Sequence, residues 1–134
     1  MKQRVVVTGL GIVSPVGLST ESTWASLLAG RSGVDYISTF NTESFETRIA
    51  AEGKGFEPTD FLDRKEARRM DRFVQFAAVA AQEAVANAGL SIQGEDALRV
   101  GAMIGSGIGG IITLSQEFKV LSERGPSKVS PFLI

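Results

Sequence analysis

The sequence predicts a layered α/β fold, and three observations carry the prediction. Short β-branched runs alternate with stretches whose apolar residues recur at helical spacing, which is the pattern of sheet and helix layers joined by right-handed crossovers. Glycines and prolines fall at the joints between them. The 134 residues, 43% hydrophobic and 22% charged, suffice for one modest core but not for two, so a single domain over 1–134 is expected to bury most of its apolar surface.

Taken in order, Arg4-Val-Val-Val-Thr8 reads as a strand buried on both faces and ended by Gly9-Leu-Gly11. After the turn Ser14-Pro-Val-Gly17, Ser19 or Thr20 can cap a helix from about Glu21 to Ala29, with Trp24, Leu27 and Leu28 as its apolar face and Gly30 as its left-handed stop. Two short strands are expected around Asp35 to Phe40 and Thr47 to Glu52. Asp60-Phe-Leu-Asp63 then introduces a long helical region in which Met70, Phe73, Val74, Ala77, Ala81, Ala84, Val85 and Ala88 share a face, ended by Gly89. Its many alanines allow close backbone approach, which predicts a helix packed deep against a sheet. Arg99-Val-Gly-Ala-Met-Ile104 is a second buried-strand candidate. Gly105-Ser-Gly-Ile-Gly-Gly110 follows, then a helix from Ile111 to about Ser122, closed by Gly125-Pro126.

Composition excludes several classes of function. Without cysteine there is no disulfide framework, thiolate nucleophile, zinc-thiolate site or iron–sulfur cluster. A net charge of −1 gives no global field for nucleic acid. The apolar run behind Met1-Lys2-Gln3-Arg4 is far shorter than a signal peptide or membrane span, so a cytoplasmic protein with no membrane partner is expected. No histidine stands beside any serine, and no carboxylates have zinc-protease or EF-hand spacing.

Three motifs remain open to more than one reading. Gly9-Leu-Gly-Ile-Val-Ser14 has two glycines of a dinucleotide fingerprint, but Pro15 and Gly17 place a turn where the phosphate-binding helix should start, which favours a purely structural turn. No Gly-Lys-Ser/Thr triplet follows Gly105–Gly110, so packing and ligand contact both fit that loop, with Ile108 its only large side chain. Arg64, Lys65, Arg68, Arg69 and Arg72 form the densest positive cluster, near Asp63, Glu66 and Asp71. It reads either as a solvated face with internal ion pairs or as a docking surface for an acidic partner.

Together, Val5-Val-Val-Thr-Gly-Leu-Gly-Ile-Val-Ser-Pro-Val-Gly17, Arg64-Lys-Glu-Ala-Arg-Arg-Met-Asp71, Gly105-Ser-Gly-Ile-Gly-Gly110 and Lys128-Val-Ser-Pro-Phe132 resemble, in order and spacing, the β-ketoacyl-acyl-carrier-protein synthases of bacterial fatty-acid synthesis, and most closely their type II members. The resemblance implies a thiolase-like layered α/β/α fold, of which 1–134 would be an incomplete first half, truncated before the nucleophile; the apolar run Pro131-Phe-Leu-Ile134 is an unusual place to stop. It implies acyl transfer to a cysteine and decarboxylative condensation assisted by two histidines, by covalent and electrostatic catalysis. With neither residue type present, no catalytic residue is assigned here, and no metal or cofactor is implied.

The same resemblance assigns Ile108, Phe132 and Leu133 to an acyl pocket, with isoleucine at 108 similar to type II and glycine to type I, and with Phe132 and Leu133 reaching the partner subunit of a homodimer. It assigns Lys65, Arg68, Arg69 and Lys128 to the surface that docks acyl carrier protein; Ser127 departs from the arginine of many relatives. A non-catalytic carrier-binding or dimerisation module derived from the family is the alternative.

Overall fold

Helix α1, Thr20–Leu28, forms where its cap dictates. Ser19 accepts the Ser22 amide at 3.2 Å, and the Ser22 hydroxyl accepts the Ser19 amide at 3.1 Å, a reciprocal capping box in which serine replaces the usual acidic residue. Gly30, at φ +66°, ends the helix without the steric penalty any other residue would meet. The computed structural model describes residues 3–133, so Met1, Lys2 and Ile134, which belong to the terminal readings above, lie outside the described residues.

Contact density divides the chain into two compact units. The first comprises the stretch up to Glu57 together with Val79–Ile92, and the second comprises Pro58–Ala78 with the stretch from Gln93 onward. In the first unit, strands β1 (Val34–Tyr36) and β2 (Ile49–Ala51) pair antiparallel in the register Val34 to Ala51, Asp35 to Ala50 and Tyr36 to Ile49. The loop between them is gathered by Glu52, whose carboxylate accepts the hydroxyls of Thr39 and Ser38, each at 2.7 Å. These bonds hold its pKa down to about 2.

The long helical region is broken in two. Asp63 caps a single turn, α2 (Arg64–Ala67), by accepting the amides of Lys65 at 2.8 Å and Glu66 at 3.2 Å. After Arg68–Asp71, helix α3 runs Arg72–Asn87 and ends at Gly89, at φ +62°. The interruption is stabilised by Gln75, whose side-chain amide donates to the carbonyls of Ala67 at 2.9 Å and Met70 at 3.3 Å, groups that a continuous helix would have satisfied itself. Helix α4, Ile111–Arg124, extends two residues past the expected end and stops at Gly125.

Alanines of α3 do receive a close backbone neighbour, but it is a glycine loop and not a sheet. A Cβ on Gly9 would stand 2.7 Å from Ala88 Cβ and would overlap the Ala84 carbonyl; one on Gly11 would stand 2.6 Å from the Ala84 amide and overlap the Ala80 carbonyl. Neither glycine has positive φ, so close packing alone requires them. Glu83 fixes the same loop by accepting the amides of Ile12 at 2.8 Å and Thr20 at 2.7 Å. Burial pushes its carboxyl up, and the two amide donors outweigh that and hold it below the ordinary range.

Four expectations are corrected. The runs 4–8 and 99–104 form no ladder, and Val5 and Met103 are 93% and 98% exposed, because a strand acquires both hydrogen bonds and burial from neighbours that no described residue supplies. The only sheet among the described residues is antiparallel, so the parallel layer with crossovers is not formed within them. On α1 the buried residues are Thr23 and Ser26, while Trp24, Leu27 and Leu28 are exposed, since an amphipathic pattern identifies the apolar face without supplying its cover. Finally, most apolar surface is not buried: Phe56 and Val79 in the first unit, and Leu62 and Ala67 in the second, are the buried hydrophobic residues among those described.

Candidate docking groove

Within the second unit, Leu62 and Ala67 turn inward and are buried, which leaves the side chains of Lys65, Arg68 and Arg69 on exposed positions around α2. Among the described residues, no ion pair is found for Arg64, Lys65, Arg68, Arg69 or Lys128, whereas Lys54 pairs with Asp35 and Lys119 with Glu123. For these five cations, the internal ion pairs that a merely solvated face would use are not found among the described residues. Arg72 differs, for it bonds to Gln75 at 3.3 Å and lies over the ring of Phe76.

Asp71 organises the floor beside these cations. Its carboxylate accepts the Thr113 amide at 2.8 Å and the Thr113 hydroxyl at 2.7 Å, tying the start of α3 to the first turn of α4. Burial pushes Asp71 up, but Thr113 and the amides of Phe73 and Arg72 outweigh it and hold the carboxyl below its ordinary value. The third wall is the segment 130–133. Ser130 donates its amide to Glu117 at 2.6 Å, and the Ser130 hydroxyl accepts the Phe132 amide at 3.1 Å.

These elements enclose an open groove of about 340 Å³ lined by Arg69, Met70, Phe73 and Val74 on one side and by Phe132 and Leu133 on the other. A more polar recess of about 180 Å³ shares Arg69 and Phe132 and adds Arg68, Gln116 and Ser130. The Arg69 guanidinium lies over the Phe132 ring, 4.8 Å from its centroid. Such a surface can take an anionic group beside an apolar one.

The structure thus brings Arg68, Arg69, Phe132 and Leu133 to one place. Lys65 stands on α2, and Lys128 on the 3-10 turn Pro126–Lys128; neither lines the groove. Ile108 is 78% exposed and does not join Phe132 and Leu133; its loop reaches the groove only through Gly110. Sequence reading missed the residues that build the site, namely Asp71, Gln75, Thr113, Glu117 and Ser130. Two of them, Asp71 and Ser130, lie inside motifs already singled out, and nothing in a linear string marks which distant partner they take.

Comparison with known proteins adds a family context. Residues 2–134 match the family described as "Beta-ketoacyl synthase, N-terminal domain". The chain is 47% identical to 3-oxoacyl-[acyl-carrier-protein] synthase 2 of Vibrio cholerae over 133 residues, which are 99% of this chain and 32% of that protein. It is 48% identical to the synthase of the same name from Staphylococcus aureus over 132 residues, covering 98% of this chain and 32% of that one. Among solved structures it resembles the ishigamide ketosynthase/chain length factor with a TM-score of 0.74 and 32% identity, over 96% of this chain and 32% of that one. The chain therefore spans about a third of the length of the curated relatives it matches, and the fold it shares with the solved structure is that of the thiolase-like ketosynthases.

Proposed function

We propose that this chain, which belongs to the β-ketoacyl synthase family, is the amino-terminal, carrier-docking and acyl-facing part of a 3-oxoacyl-acyl-carrier-protein synthase of type II. The enzyme would elongate fatty acyl chains by decarboxylative condensation of a cysteine-bound acyl group with malonyl-carrier protein. Since these 134 residues contain neither cysteine nor histidine, the nucleophile and its assisting histidines belong to other residues of that enzyme. Lys65, Arg68, Arg69 and Lys128 would receive the acidic carrier, and Ile108, Phe132 and Leu133 would face the acyl chain. A cytoplasmic homodimer is part of the same proposal.

The observation that carries the reading is that Arg68 and Arg69, for which no ion pair is found among the described residues, line the groove and recess that also present Phe132 and Leu133, with Lys65 exposed on the same turn α2. Titration of the chain with acyl carrier protein tests it. Lys65→Glu and Arg68→Glu are each expected to weaken binding about fivefold or more at low salt, with the wild-type affinity itself falling as salt rises. Binding that ignores both reversals and salt would reject the docking surface. A second reading, a non-catalytic module derived from the family, is motivated by the missing nucleophile; condensation of acyl and malonyl carrier proteins by the purified protein carrying this chain would exclude it.

A further inference from the structure

We propose that Phe132 is a positioning residue for carrier docking: its ring holds the Arg69 guanidinium in place for an incoming carboxylate. The inference rests on the docking reading above and gives Phe132 a second task in addition to the acyl-facing one proposed for it. Arg69 is anchored at its backbone, where its amide donates to the Glu66 carbonyl at 2.9 Å. Its side chain is long and loses rotamer freedom when it binds. A cation–π contact uses no conventional hydrogen-bond acceptor, so the guanidinium over the Phe132 ring keeps its five planar donors for a bidentate carboxylate contact. The 4.8 Å approach to Phe132 therefore orders Arg69 before the partner arrives, which lowers the cost of binding.

Phe132 is itself held for the task. Its amide is fixed by the Ser130 hydroxyl at 3.1 Å, and Ser130 is fixed by the Glu117 carboxylate at 2.6 Å, so the ring is carried on a turn tied to α4. Glu117 is thereby engaged with a backbone amide, and Asp71 with Thr113, which accounts for two carboxylates bordering the polar recess and its neighbour. Arg69 also lines both the groove and the recess, so one ordered guanidinium addresses both.

A double-mutant cycle tests this, with the 134-residue chain immobilised at low density and acyl carrier protein as the probe. Phe132→Leu is expected to weaken carrier binding about two- to fivefold, the worth of an exposed cation–π contact. Phe132→Tyr, which keeps the ring, should restore most of it, and in an Arg69→Gln background Phe132→Leu should cost nothing further. An equal loss from Phe132→Leu with and without Arg69, or no loss at all, overturns the positioning role while leaving docking intact. No carrier binding by the wild-type chain overturns the docking reading and this inference with it.

Discussion

At the scale of single residues, the molecule is organised by carboxylates that accept backbone amides far away in sequence. Asp71 and Thr113 are 42 positions apart, and Glu83 reaches Ile12 and Thr20 across 71 and 63. A group whose folded pKa is depressed stabilises the fold above its ordinary value and loses that contribution as pH falls through the folded one. For Asp71 the window therefore lies below the ordinary aspartate value of 3.8. Replacing it by asparagine is expected to cost about 1 kcal/mol of local stability at neutral pH, the discounted worth of hydrogen bonds to a partly exposed charge. The Thr113 amide should then exchange with solvent about fivefold faster than in the wild type, and the difference should shrink below pH 3.8 as the native carboxylate protonates. An Asn-to-wild-type gap independent of pH would show that the charge is not what Thr113 reads. None of these pairings was legible in the sequence, because a carboxylate's partner is chosen by the fold and not by its neighbours in the chain.

At the scale of elements, legibility followed how local the determining interaction is. The caps of α1, the stop at Gly30 and the closure of α4 at Gly125 all rest on residues within a few positions of one another, and all were visible, whereas for β1 and β2 the strands were expected but not their pairing. The break before α3 was not, since it depends on Gln75 folding back onto Ala67 and Met70. Runs 4–8 and 99–104 have strand composition but no ladder, because β structure is a property of a pair. The tight contact between the glycine loop and α3 was half legible: alanines announced a close neighbour without saying which. Gly11→Ala is expected to destabilise the chain by about 1–3 kcal/mol through overpacking against Ala80 and Ala84. Gly101→Ala, where an added methyl would meet nothing within 4 Å, should leave the urea midpoint unmoved or slightly raised. Equal effects of the two substitutions would mean that helix contact does not constrain the loop.

At the scale of the molecule, the dominant fact is uncovered apolar surface. Val5, Val7, Trp24, Leu28, Met103 and Phe118 are all exposed, and each unit has only two buried hydrophobic residues among those described. Exposed surface of this extent normally marks an interface, and this chain spans about a third of its curated relatives. The 134-residue chain by itself is expected to self-associate or bind a hydrophobic dye strongly, which sedimentation and dye fluorescence would measure. A monodisperse monomer with a sharp thermal transition and no dye binding would contradict the exposure described here. The candidate site was legible at this scale only as motif resemblance: Arg68, Arg69 and Phe132 were each singled out, but that they meet in one groove is a property of the tertiary arrangement.

The discontinuity of the first unit also sets a timetable for synthesis. Helix α1 and the β1–β2 hairpin share that unit with Val79–Ile92, and the amides of Ile12 and Thr20 wait for Glu83. At about 5–20 residues per second, a ribosome takes roughly 2–7 s to go from Glu57 to Ile92. Throughout that interval the loop of Gly9 and Gly11 lacks the helix it packs against and the amides of Ile12 and Thr20 lack their acceptor, an incompletely packed state of the kind that chaperones binding nascent chains relieve.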